Sequence, residues 1–335
     1  MTAPIFELLD VEKRYRVAGK RRSPFSAPEP AWLAALDGVR LSLHAGESVA
    51  LVGESGSGKS TLLRVLLGLT EATDGRALFR GKPITRLSGQ DRRDFTREVA
   101  MVYQDARGSL NPRMRVADLI REPLLHHGIC RPEECDARIG ALLARVGLAA
   151  DVAARYPSQL SGGQARRVAI ARGLASSPSV LIADEAVSGL DVSTQAQLLT
   201  LLRELQRDMG LTLLFITHDL GVAAWLCERI AVMYLGRIVE TGPTRKVLEA
   251  PAHPYTRALR NSAPAFFTPI PPPLPGEVPS PINLPPGCRF AGRCPAAADA
   301  CRRTDPALES LSPDHGVACL YPLAGSRVHQ QGQQQ

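Results

Sequence analysis

The residues Gly53, Glu54, Ser55, Gly56, Ser57, Gly58, Lys59, Ser60 and Thr61 have the spacing G-x-x-x-x-G-K-[ST], and the chemistry of that pattern is the binding of phosphate oxygens. Glycines at 53, 56 and 58 accept backbone angles that let consecutive N–H groups turn inward around an anion. Lys59 supplies a point charge for the β- and γ-phosphates of a nucleotide, and the Ser60 hydroxyl suits Mg²⁺. A second chemical pair, Asp184 and Glu185, closes the apolar run Val180-Leu-Ile-Ala183. An unpaired carboxylate there is unfavourable, and a magnesium ion compensates it. Asp184 is expected to hold Mg²⁺ through water, and Glu185 to polarise the water attacking a γ-phosphate. His218 follows a second apolar run, Thr212 to Thr217, where an imidazole could donate to the γ-phosphate or to Glu185. The plainer alternatives are a glycine-rich turn, a helix-capping acidic pair and a loop histidine bonded to backbone.

These residues need a scaffold. Ser48-Val-Ala-Leu-Val52 reads as a strand into the loop, and Thr61 to Leu67 as a helix leaving it. Val192 to Met209 has amphipathic helical spacing between the two later apolar runs, so the order is strand, helix, strand, and a parallel sheet flanked by helices is expected. In such sheets ligands lie beyond the carboxyl ends of the strands, where the loop, Asp184-Glu185 and His218 all fall. Upstream, Ile5 to Val11 and Val39 to Leu43 read as strands around a polar insertion from Ala18 to Pro30. Tyr15, just before that insertion, has two open readings, stacking on adenine or packing in a core. Residues from about Asp91 to Ala150 read as helical, punctuated by Pro123 and Gly128. Leu160-Ser161-Gly162-Gly163-Gln164 then opens a helix through Ala175; Ser161 is a natural N-cap, and the glycines leave N–H groups uncovered for an anion. Ile230 to Glu240 reads as a hairpin turning near Gly236.

At 335 residues the chain holds one large domain with an appendage. A net charge of +7 permits nucleic acid or an anionic membrane as a partner and demands neither; apart from Lys20-Arg-Arg22 the basic residues are scattered among acidic ones. No apolar run of about 18 residues occurs, and the N-terminus lacks the charged-then-apolar design of a secretory signal, so a cytosolic setting is expected. From about Pro264 prolines dominate, an extended connector over 264–287, and Gln330 to Gln335 reads as a disordered end within a tail at 324–335. Between them Cys288, Cys294, Cys301 and Cys319 crowd into a small extension, 288–323. Four thiolates can hold Zn²⁺ or an iron–sulfur cluster. The absence of paired C-x-x-C knuckles favours a cluster over zinc, with free thiols as the third reading. Cys130, Cys135 and Cys227 suggest no role.

Taken together, the loop Gly53 to Ser60, Gln104, Leu160-Ser-Gly-Gly-Gln164, Asp184-Glu185, Ser188-Gly189-Leu190-Asp191 and His218 resemble the nucleotide-binding subunit of ABC transporters over nearly the whole chain. Ser109 to Met114, His253-Pro-Tyr-Thr-Arg-Ala-Leu259 and Pro279-Ser-Pro-Ile282 with the four cysteines look like its oligopeptide and dipeptide importer branch, and the insertion before Trp32 is similar to the second of that branch's two ATPases. The resemblance implies an α/β P-loop NTPase fold over 1–263, with an N-terminal antiparallel β-subdomain and an inserted helical subdomain at about 91–165. It implies a head-to-tail ATPase pair in which Ser161, Gly162, Gly163 and Gln164 serve the partner's ATP, and a D-loop at Ser188 to Asp191. Gln104 would contact Mg²⁺ and transmit motion, Tyr15 would stack on adenine, and the four-cysteine cluster gains support. Partners would be a second ATPase, two membrane-spanning permeases and an external solute-binding protein, at the cytoplasmic face of the inner membrane, with no nucleic acid.

The solute stays open, since the branch also includes nickel and other small-solute importers. Rival classes are a soluble ABC ATPase acting on DNA or ribosomes, against which the single cassette argues, and a redox or metal sensor built on the cysteine tail. Ala186 replaces a common proline, Gly189 a common alanine, Arg166 a frequent glutamine and Ala106 a proline. No chemical group is lost, so an active ATPase is expected.

Overall fold

A computed structural model describes residues 3–18, 30–262 and 276–323. Most of the polar insertion, much of the proline-rich connector and the glutamine end lie outside them. The chain divides into two compact units, interleaved in sequence. One comprises Leu43–Ser48 and Arg86–Ile216 with the first three residues; the other comprises Pro4–Ser42, Val49–Thr85 and everything from Thr217 onward.

The chain begins with two long strands, β1 (Pro4–Ala18) and β2 (Pro30–His44). β3 (Ser48–Val52) is buried at every position and delivers the chain to the glycine-rich loop, after which α1 (Lys59–Leu66) follows. Strands β4 (Asp74–Phe79) and β5 (Lys82–Pro83) complete the first stretch. In the second unit β2, β1, β4 and β5 form a four-stranded sheet in that order, with β4 antiparallel to both β1 and β5. Alternation in β1 puts Phe6 and Leu8 in the core, and Val11 joins them where the pairing with β4 shifts register between Leu9 and Glu12.

The first unit holds α2 (Gly89–Glu98), β6 (Val99–Val102), α3 (Val116–His126), α4 (Cys135–Arg145), α5 (Gly162–Leu174), β7 (Val180–Asp184), α6 (Val192–Met209) and most of β8 (Thr212–Thr217). β7 pairs in parallel with both β6 and β8, so the expected strand, helix, strand order is a right-sized crossover through α6. The helical reading of 91–150 is corrected at β6. Val99-Ala-Met-Val102 is too short an apolar run for periodicity to tell strand from helix, and pairing with β7 decides it. Pro123 also lies inside α3 instead of ending it. Around it Leu119, Ile120 and Leu124 are buried, and α3 packs on α4 and α5. Cys130 and Cys135, which sequence leaves without a role, bring their sulfurs within 2.9 Å at the start of α4.

After β8 the second unit continues with α7 (Leu220–Leu226), β9 (Arg229–Tyr234), β10 (Arg237–Pro243), α8 (Thr244–Glu249), α9 (Pro254–Ser262), α10 (Asp299–Arg303), β11 (Glu309–Ser312) and β12 (His315–Val317). β3 pairs in parallel with β9, and the hairpin turning at Gly236 joins β9 to β10. The cysteine-bearing extension does not stand apart from this sheet: β12 pairs antiparallel with β10, and β11 with β12. A buried carboxylate secures the join. Glu240 in β10 accepts the N–H groups of Ala252 (2.7 Å) and His253 (2.9 Å) and contacts Nε2 of His315 in β12 at 2.8 Å. Every oxygen of that buried acid is thus partnered, as burial of a carboxylate demands.

Candidate active site

The glycine-rich loop sits in the second unit between β3 and α1, and its shape follows from its sequence. Gly58 adopts φ +108°, and a Cβ there would stand 2.5 Å from the Ala35 carbonyl oxygen, so no other residue fits without displacing backbone. The loop is stitched by Ser57 N–H to Glu54 O (3.2 Å) and by Gly236 N–H to Ser57 O (2.8 Å). Ser57 is buried, whereas Ser55, Gly56 and Ser60 are exposed. The Lys59 ammonium donates to the carbonyls of Gly53 (2.6 Å) and Glu54 (2.9 Å), which holds its charge over the mouth of the loop. Helix α1 has no acidic residue in its first turn, so nothing on the helix opposes an anion at its positive end.

Tyr15 and His218 belong to the same unit. Tyr15 is half-buried in β1, with the Lys13 ammonium 5.2 Å from its ring centroid. His218 is exposed after β8, and the next residue, Asp219, caps α7 by accepting from Gly221 N–H at 2.7 Å.

The first unit gathers the remaining candidates. Asp184 and Glu185 end β7, and Glu185 has φ +44°, a left-handed conformation that a non-glycine residue adopts only where its surroundings hold it. Its N–H donates to Ile216 O at 2.9 Å, and its Oε2 accepts from Gln104 Nε2 at 2.9 Å. Two residues 81 positions apart in sequence are therefore in direct contact. Ala186, the departure from the usual proline, is fully buried beside them. The aim of Glu185 is thus set by the β8 carbonyl and by Gln104 without proline's restraint on φ. Gly189 has φ +71°, a backbone in which an alanine would be strained, so glycine is the fitting residue for this path of the loop.

Ser161 caps α5 with a reciprocal pair: Gln164 N–H donates to its Oγ at 3.2 Å and Gln164 Oε1 accepts from its N–H at 3.0 Å. Ser161 and Gly162 are exposed. Arg166 turns out to be a link: its guanidinium donates to the Ser188 carbonyl, tying α5 to the Ser188–Asp191 loop. Burial pushes its pKa down, and its Nε has no hydrogen-bond partner among the described residues. Arg107 donates likewise to Leu160 O, and Arg172 to Ser109 O at 3.0 Å, so arginines join the segment after Gln104 to α5. Asp191 caps α6, accepting from Thr194 N–H (2.9 Å) and Ser193 Oγ (2.8 Å), and these bonds lower its pKa to about 2. Sequence reading missed the arginine links because each joins residues distant in the chain, and a lone arginine carries no motif.

All four tail cysteines line one small recess of about 20 Å³, together with His253 and Phe290. Burial raises the thiol pKa values of Cys288 and Cys294, and that of Cys319 to about 11. No three metal-ligating groups among the described residues cluster for a single ion.

Comparison with known proteins assigns the chain to a family. The ABC transporter family matches residues 36–188, and the family described as the oligopeptide/dipeptide transporter C-terminal region matches residues 239–301. The chain is 42% identical over 327 residues to the oligopeptide transport ATP-binding protein OppF of Escherichia coli, covering 94% of this chain and 96% of that one. It is 47% identical over 289 residues to a putative peptide import ATP-binding protein of Brucella abortus, 86% of each chain. Among solved structures it is similar to the ATP-binding cassette MJ0796 in a dimeric post-hydrolysis state bound to ADP and Pi, with a TM-score of 0.62, 30% identity and coverage of 72% of this chain and 99% of that one. The fold and the loop define an ATP-binding cassette of the P-loop class. The chain belongs to the ABC transporter ATP-binding proteins, in the group that carries the oligopeptide/dipeptide transporter C-terminal region.

Proposed function

We propose that this chain is the ATP-hydrolysing subunit of an importer for di- or oligopeptides, peripheral at the cytoplasmic face of the inner membrane. The observation that carries the reading is the match of 239–301 to the peptide-transporter C-terminal region in a chain that also has the ABC cassette. Among the described residues no helix is long and apolar enough to cross a membrane, so translocation falls to other subunits. Those are two permeases, a second ATPase forming a heterodimer with this one, and an extracytoplasmic binding protein. The organisation that fits is a cassette over 1–263 with a helical insertion at about 91–165, a linker over 264–287, the cysteine extension over 288–323 and a tail beyond.

In this reading the N–H groups of Gly53 to Thr61 and the Lys59 ammonium bind the phosphates, and Tyr15 stacks on adenine. Ser60, Gln104 and Asp184 offer hydroxyl, amide and carboxylate oxygens, a hard donor set suited to Mg²⁺. When bound, the ion neutralises charge on the β- and γ-phosphate oxygens. Glu185 accepts a proton from the attacking water, and His218 donates to the γ-phosphate. Support for this role of Glu185 comes from its left-handed backbone and its bond to Gln104. Residues 161 to 164 bind the γ-phosphate of the ATP held by the opposing subunit, and Ser188 to Asp191 lie along that interface. Affinity isolation from detergent-solubilised membranes tests the assignment. Co-recovery of multi-spanning permeases and a second ATPase, with hydrolysis stimulated by a peptide-loaded binding protein, is expected. Recovery from the soluble fraction with ribosomes or nucleic acid refutes it, and stimulation by nickel-loaded binding protein reassigns the solute.

We infer that the four tail cysteines serve an iron–sulfur cluster in preference to zinc. What supports the reading is that the four thiols line one recess and that the tail lacks the paired C-x-x-C knuckles of a zinc ribbon. Because burial favours the thiol forms, loading must displace protons, and uptake weakens as pH falls. Protein purified anaerobically is expected to carry iron and sulfide, and Cys319→Ser to lose them. Zinc in place of iron, or neither, overturns the assignment.

A further inference from the structure

Glu54, one of the unspecified positions of the phosphate loop, is gripped from two directions by the C-terminal part of its own unit. Arg293 approaches its carboxylate two-pronged, Nη1 to Oε2 at 2.9 Å and Nη2 to Oε1 at 3.1 Å. The arginine side chain is only 5% exposed and that of Glu54 25%. On the main-chain side the Glu54 N–H donates to the Tyr255 hydroxyl at 3.0 Å. Neither anchor is loose. Tyr255 is fully buried and donates its own N–H to His253 Nδ1 at 3.0 Å. Its ring packs against Tyr234 and Phe290 at centroid distances of 4.5 and 5.4 Å. The Arg293 guanidinium lies 5.9 Å from the Tyr234 ring centroid and 6.0 Å from that of Phe290.

Two consequences follow for an anion in the loop. An acid placed among phosphate-binding N–H groups repels the ligand unless a cation neutralises it, and Arg293 is that cation. Pinning both the N–H and the carboxylate of Glu54 also fixes the path of the loop before ligand arrives, which lowers the ordering cost of binding. We propose that Arg293, in the C-terminal extension, and Tyr255, in α9, are positioning residues for the nucleotide, so that these two elements, through Glu54, set the affinity of the phosphate loop. The proposal rests on the ATP-binding reading of that loop.

The test is the dissociation constant of a fluorescent ATP analogue with Mg²⁺, measured on the full chain. Arg293→Met strands the Glu54 carboxylate and is expected to weaken binding about tenfold, equivalent to ~1.4 kcal/mol. Glu54→Gln combined with Arg293→Met removes the stranded charge, so the double variant should bind more tightly than Arg293→Met alone. A merely structural arginine gives no such rescue. Arg293→Lys, which keeps the charge but not the fork, and Tyr255→Phe, which strands the Glu54 N–H, should each weaken binding about threefold, and they carry the test if Arg293→Met fails to fold. Wild-type affinity in these variants, or losses that Glu54→Gln only deepens, overturns the proposal. Failure of the wild-type chain to bind the analogue overturns the ATP reading instead.

Discussion

Glu185→Gln is expected to slow ATP hydrolysis by about a hundred- to ten-thousandfold while MgATP still binds. The amide is the same size and can still accept a hydrogen bond from Gln104 Nε2, so the 2.9 Å contact and the left-handed backbone at 185 are retained. What is lost is the ability to take a proton from water as it attacks phosphorus. Phosphate release under single-turnover conditions, beside equilibrium nucleotide binding, separates the two. A variant that turns over at the wild-type rate would sink the assignment of Glu185 as the water-activating group. Equal loss of binding and turnover would instead mean that residue 185 holds the site together.

Lys59→Met is the second large effect. The Lys59 ammonium lies over the loop mouth, bonded to the carbonyls of Gly53 and Glu54. Charge-assisted bonds of an ammonium to phosphate contribute about 1.5–3 kcal/mol each, so removing it should weaken MgATP binding by one to two orders of magnitude. Methionine fills the space of the aliphatic stem, so the melting temperature should change little. Calorimetric titration with ATP reads the first quantity and a thermal melt the second. Undiminished affinity would show that the backbone N–H groups alone hold the phosphates.

The two variants also differ in how visible their residues are from sequence. Lys59 belongs to a motif whose members are neighbours in the chain, and β3, loop and α1 fold as one local unit, so spacing alone specifies its place. Glu185 was legible as half of an acidic pair after an apolar strand. Its partner Gln104 was reached only through resemblance, because contact across 81 residues leaves no local pattern. Sequence shows Gly189 only as a departure from a common alanine. The structure supplies the reason: residue 189 occupies left-handed space, where glycine is the natural choice.

Arg166 shows the same division. As a substitution in a motif it carried no meaning beyond a missing glutamine, yet its guanidinium ties α5 to the carbonyl of Ser188. The tail is similar. Its cysteines announced themselves by crowding, whereas Arg293, between two of them, was only one of many arginines.

By itself the sequence determined the phosphate-binding loop, the acidic strand end, the capped helix after Leu160 and the alternation of strands and helices. Each depends on residues close together in the chain, where backbone freedom, periodicity and capping act over a few positions. Tertiary structure decided that Val99–Val102 is a strand, that β12 joins the sheet through β10, and that Arg293 and Tyr255 reach Glu54. Those outcomes depend on which distant partner satisfies a backbone edge or a buried charge, and chain folding brings that partner into place.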